Sequence, residues 1–329
     1  MKADFPTAVL AIVLVCLFAG TLLTYSLNPN DFGASAEKSG SEITVDMHAT
    51  VQSDYIVCAV EMDNTERELS YFYDERYVYP RDYDGQRYDM DALSDQLKYT
   101  NVSHKEIDAD ALKAMFQDTG NAKKNAVVIF SGALPCNVYT YDGTSITVND
   151  ALDWLNAGGV IYWYSSEKFG YYSAPLKEDF SGDWETGQPL DTESGWTGID
   201  YLAEADTEYA TARSDISKLL NLTQNEVWEA APLETSVTNI GYLNDDGRCS
   251  LSFRAYGTGR IVILGGEWTD SMTMAKIITS RVCEWNSLTD HASGTFKGTK
   301  EITFTGTANA AYVCFGTFVP RYAELFLLG

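Results

Sequence analysis

The sequence predicts an α/β fold in which helices flank a parallel sheet, with a β extension at the C-terminus and an apolar helix at the N-terminus. Short apolar runs rich in β-branched residues alternate with amphipathic helical segments, and the segments between strands are long enough for parallel crossovers. The C-terminal residues favour aromatic and β-branched types in alternation, which is typical of strands. The first residues form one long uncharged run.

The apolar N-terminal run, "TAVLAIVLVCLFAGTLLTY", contains 19 residues and no charge. At about 1.5 Å per residue, a helix of this length crosses a hydrocarbon core of roughly 30 Å. Lys2 precedes the run and Asp31 follows it, so we expect the bulk of the chain outside the cytoplasm. Residues 1–27 are predicted to be a transmembrane anchor of a single-pass protein. The alternative is a signal peptide cleaved near Ala36, which would give a secreted protein.

Residues 28–53 are rich in Asn, Ser, Gly and Ala and lack sustained apolar periodicity, which predicts a linker. The α/β domain is expected over 54–290. Its first strand is predicted at "YIVCAVEM", residues 55–62, because the run is short, apolar and β-branched.

The following elements alternate between helix and strand. Segment 108–120 reads as a helix capped by Asp108 and closed by Gly120. "NAVVIFSGALP" then predicts a strand, "TVNDALDWLNAGG" a second capped helix, and "VIYWYSS" a third strand. This order predicts a parallel sheet covered on both faces.

The second half of the predicted domain is less regular. Residues 170–245 are acidic and rich in turn-forming residues, which predicts an elaborated insertion. "CSLSFRAYGTGRIVILGG" predicts two strands joined by a tight turn, and "TDSMTMAKIITSRVCEW" predicts a covering helix. Residues 291–329 are expected to form the β extension.

Three stretches, "AVVIFSGALP", "GGVIYWYSS" and "YGTGRIVILGGEW", resemble the class I glutamine amidotransferase-like superfamily, including its ThuA-like branch. The resemblance covers about residues 55–285 and implies a flavodoxin-like sheet. Catalytic members carry a Gly-x-Cys-x-Gly elbow with a later His and Glu. Here the corresponding strand ends in Tyr164, Ser165, Ser166 and Glu167, and no histidine follows "RIVILGG". The resemblance therefore implies a non-catalytic member.

No catalytic residue is predicted, although five side chains are retained as weak candidates: Ser165, Ser166, Glu167, Glu267 and Asp270. A serine nucleophile needs a base, and this stretch offers carboxylates without an imidazole. The serines are therefore expected to form hydrogen bonds at a strand end. The alternative hypothesis is a carbohydrate or peptide hydrolase that uses carboxylates at the carboxyl edge of the sheet, near Asp63.

The tyrosine-rich segment 71–91 is the predicted binding surface, because tyrosine offers both apolar area and a directional hydroxyl. Its predicted binding residues are Tyr73, Tyr77, Tyr79 and Tyr83. The alternative is a twisted hairpin or long loop with half-buried tyrosines. Four acids could bind calcium, although their spacing does not match an EF-hand: Asp82, Asp84, Asp89 and Asp91. No other cofactor is predicted.

The chain is strongly acidic, with 23 basic and 47 acidic residues and a net charge of −24. Such a surface repels nucleic acid, so no nucleic-acid partner is expected. Beyond the apolar run there are five cysteines: Cys58, Cys136, Cys249, Cys283 and Cys314. Their spacing is not that of a metal site, and their disulfide state is left open. We predict a membrane-anchored extracytoplasmic protein that binds or scaffolds an envelope protein or glycan at the cell surface.

Overall fold

The computed structural model describes a defined part of the chain: residues 31–74, 83–100, 102–130, 134–141, 146–164, 172–173, 216, 219–222, 231–232, 238–239, 248–249, 252–264, 271–316 and 319–329. The predicted anchor over 1–27 and most of the predicted insertion over 170–245 lie outside these residues. Among the described helices, none combines the length and apolar character that a membrane crossing requires.

The described part of the chain contains helices and strands in alternation. The strands are β1 (Phe32–Ser39), β2 (Glu42–Met62), β3 (Glu68–Phe72), β4 (His104–Ile107), β5 (Asn125–Ile129), β6 (Leu134–Pro135), β7 (Tyr139–Tyr141), β8 (Ile146–Asn149), β9 (Val160–Trp163), β10 (Tyr172–Ser173), β11 (Ala231–Pro232), β12 (Thr238–Asn239), β13 (Arg248–Cys249), β14 (Ser252–Tyr256), β15 (Gly259–Ile263), β16 (Trp285–Thr305), β17 (Ala310–Phe315) and β18 (Tyr322–Leu327). The α-helices are α1 (Tyr83–Leu97), α2 (Ala109–Gln117), α3 (Asp150–Asn156) and α4 (Ser271–Ser280). The 3-10 helices are Thr119–Lys124, Cys136–Val138 and Val282–Glu284.

The parallel sheet confirms the predicted α/β class. Its spatial order is β12-β14-β15-β9-β5-β3-β4, and the run from β15 to β4 is parallel throughout. Helices cover both faces, with α1 and α4 on one side and α2 and α3 on the other. Asp108 caps α2 as expected, accepting a hydrogen bond from the Ala111 N–H at 2.9 Å.

The first strand of this sheet is β3 and not the predicted run 55–62, which was a wrong assignment. Residues 55–62 form the end of β2 in a second, antiparallel sheet. Every residue from Tyr55 to Val60 is buried, because helix α4 and the first sheet lie on one side of β2 and an aromatic core lies on the other. A strand buried on both faces has the continuous apolar run that usually marks a parallel strand.

The antiparallel sheet joins the two ends of the described chain. The 21-residue strand β2 pairs along its length with the 21-residue strand β16. On its other edge, β2 pairs first with β1 and then with β17, which continues to β18. The predicted linker over 28–53 is therefore wrong over the described residues 31–53, which are mainly β-structure. The predicted β extension is present as strands, but β1 and β2 belong to the same sheet.

A bend divides the antiparallel sheet into two halves. Residues 50–52 of β2 lie opposite Lys297 alone, between the pairs Ser53↔Phe296 and Ala49↔Gly298. Gly298 has φ +93°, a conformation that glycine adopts without strain. The bend brings both halves around one core that includes Val45, Val57 and Phe315.

Helix α1 takes the place of the hairpin or loop that we considered for the tyrosine-rich segment over its described residues 83–91. Met90, Leu93 and Leu97 are spaced three and four residues apart and are all buried on one face. The acidic residues between them and the tyrosines before them mask this stripe in the sequence. Asp84, Asp89 and Asp91 consequently lie on a helix, and Asp82 lies outside the described residues.

Candidate functional site

The carboxyl ends of the parallel strands form the candidate site. Strands β4 and β5 lie on opposite sides of β3, so the connections leaving this edge diverge between β3 and β5. Open α/β sheets bind ligands at such a switch point. The described residues that follow the strands here are Tyr73 and Asp74 after β3, Phe130 after β5 and Tyr164 after β9.

Tyr164 connects the end of β9 to helix α1. Its hydroxyl donates a hydrogen bond to Asp89 Oδ2 at 2.8 Å. The Tyr164 ring lies 5.3 Å from the ring of Phe130, which also makes an edge contact with Tyr71 at 6.3 Å. Aromatic packing therefore fixes the floor of the site, and one carboxylate is already held by a protein hydroxyl.

Arg87 supplies an ordered positive charge at the rim. Its guanidinium lies 5.2 Å from the centre of the buried Tyr73 ring and donates to both carboxylate oxygens of Glu106, at 3.0 and 3.1 Å. Partial burial lowers the pKa of Arg87, but the hydrogen bond and charge of Glu106 and the charge of Asp91 outweigh it and leave the pKa raised. The guanidinium stays charged and fixed in direction while its side chain is 41% exposed.

Asp74 is a site residue that the sequence analysis missed. It is buried directly after β3, and its Oδ2 accepts a hydrogen bond from the Ala109 N–H at 3.0 Å, at the start of α2. An acid two positions after the apolar run "LSYF" could have revealed it. It was overlooked because the first parallel strand was assigned to 55–62.

Of the predicted binding and metal-ligating side chains, the structure describes Tyr73, Asp89 and Asp91. Tyr73 is buried, so its ring does not line an open surface. Asp91 is exposed and pairs with Arg87 at 3.4 Å. Tyr83 and Asp84 begin α1, but their side chains lie outside the described residues, as do Tyr77, Tyr79 and Asp82. The described side chains contain no group of three or more potential metal ligands.

The weak catalytic candidates lie outside the described residues: Ser165, Ser166, Glu167, Glu267 and Asp270. Ser165 and Ser166 directly follow Tyr164 in the chain. Asp63 was predicted at the carboxyl edge, but this placement is wrong, because Asp63 follows β2 of the antiparallel sheet. Hydrogen bonds from the Thr65 side chain and backbone, together with nearby cations, outweigh burial and lower the pKa of Asp63.

All three histidines of the chain lie in the described part. His104 begins β4 at the amino edge of the parallel sheet, with its Nδ1 at 2.9 Å from the Val102 carbonyl oxygen and its Nε2 at 3.3 Å from Ser94 Oγ. His48 lies in β2 and His291 in β16, both in the antiparallel sheet. No imidazole is therefore placed at the carboxyl edge.

Three cysteines, Cys58, Cys283 and Cys314, are buried. Burial raises the pKa of Cys58 strongly and raises that of Cys314 to about 11. A thiol that stays protonated is a poor nucleophile and a poor metal ligand. The side chains of Cys136 and Cys249 lie outside the described residues.

The glycines in two of the stretches that carry the family resemblance serve packing. The Arg260 N–H donates to the Gly159 carbonyl at 3.1 Å, and the Thr258 N–H donates to the Asn156 carbonyl at 3.2 Å. A Cβ on Gly259 would lie 2.3 Å from the carbonyl oxygens of both Leu155 and Gly159. In comparisons with known proteins, no family model and no curated protein matches the chain.

Proposed function

We propose that the chain is a non-catalytic binding protein, held at the outer face of a membrane by its N-terminal apolar segment, whose carboxyl edge engages another envelope protein. Within this proposal, the parallel sheet is a degenerate amidotransferase-like domain of flavodoxin-like topology. The two-sheet body carries the binding surface, and the apolar segment sets its location.

The order of the parallel strands supports the fold part of the proposal. In chain order, their spatial sequence is 2-1-3-4-5, counted from β4 through β3, β5 and β9 to β15. Flavodoxin-like sheets have this order. Two features are additional to the flavodoxin-like topology: the antiparallel strands β14 and β12 at one edge, and the second sheet packed behind α4.

The observation that carries the functional proposal is the position of the histidines. A serine nucleophile with an ordinary pKa needs an adjacent base. In the chain, Ser165 and Ser166 come directly after Tyr164, the last described residue beyond β9, whereas His104 stands at the amino edge and the other two histidines lie in the second sheet. This arrangement favours a binding role for the edge over acyl-transfer chemistry.

The described carboxylates at this edge favour binding over the hydrolase alternative. Asp74 is engaged by a backbone N–H of α2, and Asp89 by the Tyr164 hydroxyl. A glycosidase needs one carboxyl group kept protonated and a second one facing the same bond. These two carboxylates instead act as acceptors that join elements of the fold.

The rim has the composition of a protein contact surface. Tyr88 is 72% exposed in the second turn of α1, next to Arg87, whose direction is fixed by Glu106. Tyrosine and arginine are enriched among the residues that carry binding energy at protein interfaces. Both stand on a helix and not on a loop, so little conformational entropy is lost when they bind.

Site-specific photocrosslinking in cells tests the proposal. A benzophenone amino acid at position 88 should give a discrete adduct whose second component is a protein. Tyr99 is the matched control, because it is 53% exposed beyond the other end of α1, at the amino edge. The proposal fails if position 88 gives no adduct, gives the same adduct as position 99, or crosslinks only to glycan.

A further inference from the structure

A cavity of about 280 Å³ lies at the amino half of the parallel sheet, away from the carboxyl edge. Its floor is the side chains of Leu69, Ala126 and Tyr162, from β3, β5 and β9. Helix α4 and strand β18 form the walls. We propose that this cavity binds a small aliphatic carboxylate, with its hydrocarbon part on the apolar walls and its carboxylate toward Arg67 and Thr279.

A buried group of charges sets the polarity of the cavity. Glu284 accepts hydrogen bonds from Arg67 Nε at 2.9 Å and from Arg281 Nε and Nη2 at 2.7 and 2.6 Å. Burial pushes the pKa of Glu284 upward, but the hydrogen bonds and charges of Arg281 and Arg67 outweigh it and hold the pKa low. Two guanidinium groups and one carboxylate, the arginine–glutamate triad, leave one positive charge at the cavity.

Two polar groups at the cavity have unused hydrogen-bonding capacity. Arg67 uses Nε for Glu284 and Nη1 for backbone carbonyls, whereas its Nη2 makes no hydrogen bond to any described residue. The Thr279 side chain is buried, only 2% exposed, and its hydroxyl has no partner in the described part of the chain. A buried hydroxyl without a partner is costly, and a ligand acceptor would satisfy the one on Thr279. The same ligand would also accept a hydrogen bond from Arg67 Nη2.

The remaining lining residues determine the size and polarity of the ligand that fits the cavity. The apolar part of the wall comes from several elements: Leu69, Val102, Ala126, Ile278, Leu325 and Leu327. Two carboxylates also line the mouth: Glu66 is exposed to water, which screens its charge, and Glu324 accepts a hydrogen bond from the Tyr322 hydroxyl. One charged head and a short apolar body therefore match this cavity, whose volume lies near the lower limit of ligand pockets.

The backbone at the triad supports a built site. Arg281 has φ +51° and ψ +35°, the left-handed region that a non-glycine residue adopts only with strain. Its Nη1 also donates to the Thr65 carbonyl at 2.7 Å, so the guanidinium is fixed from two sides. Strain of this kind is retained where the surrounding contacts hold a side chain in one direction.

Calorimetric titration of the full chain in lipid nanodiscs with hexanoate tests the inference, with empty nanodiscs as the blank. Hexanoate should bind saturably, and hexanamide, which has the same shape without the charge, should bind at least tenfold more weakly. The inference is overturned if hexanoate does not bind or if hexanamide binds equally well. Because the cavity lies away from the carboxyl edge, neither result depends on the crosslinking experiment.

Variants locate the binding in the cavity. Thr279→Val removes the hydroxyl at nearly constant volume and should weaken hexanoate binding about tenfold, as expected for a hydrogen bond to a charged group. Thr273→Val is the control, since Thr273 is equally buried in α4 but does not line the cavity. Leu327→Trp should fill the mouth and abolish binding. If Thr279→Val binds hexanoate as well as the native chain does, the ligand does not bind in this cavity. This test does not require Leu327→Trp to fold.

Discussion

At the scale of single residues, the arginine–glutamate triad fixes the amino ends of the parallel strands. Arg67 Nη1 donates to the carbonyl oxygens of Lys123 at 2.6 Å and Gly158 at 3.0 Å, just before β5 and β9. Glu284 neutralises one of the two guanidinium charges that this arrangement buries. Removing one side chain of a buried ion-pair group leaves an uncompensated charge in the core. The resulting loss of stability is larger than the stability that the intact group provides.

Glu284→Gln should therefore lower the free energy of unfolding by about 3–5 kcal/mol. Urea denaturation followed by circular dichroism measures it. Glu106→Gln is the matched control, because Glu106 forms its ion pair with Arg87 on the surface and should contribute about 1 kcal/mol or less. Equal effects of the two substitutions would show that burial of the triad does not matter.

The pH dependence of stability follows from the same carboxylate. The pKa of Glu284 is lower in the folded chain than the ordinary value near 4.3, so its contribution is complete above about pH 4.3. It is lost as the pH falls through the folded-state pKa. The difference in unfolding free energy between native chain and Glu284→Gln should shrink on acidification, and a difference that stays constant from pH 7 to pH 3 would contradict the assignment.

At the scale of elements, strand β2 shows why part of the fold escaped prediction. Over Glu42–Ala49 alternate residues are buried and the others are polar, which is the pattern of a half-buried strand. It was overlooked because the Asn, Ser and Gly residues on either side of it favoured a linker. Over Tyr55–Val60 both faces are buried, which imitates a parallel strand. Local pattern predicted α2, α3 and the β14–β15 hairpin well, because their caps and turns are encoded locally. It could not reveal a sheet whose strands come from opposite ends of the chain.

Val45→Ala distinguishes a strand from a linker at this position. Val45 is fully buried in the core of the antiparallel sheet, so its truncation should cost about 2 kcal/mol of unfolding free energy. Thr44→Ala, on the other face of the same strand, should cost less. A thermal melt that is unchanged by Val45→Ala would indicate that this segment is not packed.

The contact between α3 and the β14–β15 hairpin makes a second prediction about an element. Gly259→Ala places a Cβ against two backbone carbonyls, which cannot move away as a flexible side chain can, so a loss of roughly 1–3 kcal/mol is expected. Gly120→Ala is the control, since its added Cβ would meet its nearest neighbour at 3.6 Å. Urea midpoints for the two variants should differ clearly; identical midpoints would argue against this packing.

At the scale of the whole molecule, the two sheets depend on each other. The antiparallel sheet takes strands from before and after the parallel sheet, and β18 contacts helix α4, which covers that sheet. Residues 291–329 are therefore not a separable extension. The candidate edge, the cavity and the antiparallel sheet belong to one packed body whose strands begin directly after the proposed anchor.

Truncation tests this dependence. A chain of residues 31–329 should melt cooperatively, whereas residues 54–329, which lack β1 and half of β2, should expose the core around Phe315 and Val313 and aggregate. Differential scanning calorimetry and light scattering would distinguish the two. A cooperative, soluble 54–329 chain would show that the N-terminal strands are dispensable.

The central claim is that the carboxyl edge binds and does not catalyse, and labelling with a serine-directed phosphonate tests it most directly. The full chain, shown to be folded by its cooperative melt, should take up no label, because none of the three histidines lies at the carboxyl edge of the parallel sheet. Stoichiometric labelling that is lost in Ser165→Ala or Ser166→Ala, but not in Ser94→Ala, would contradict the claim and establish a nucleophile at that edge.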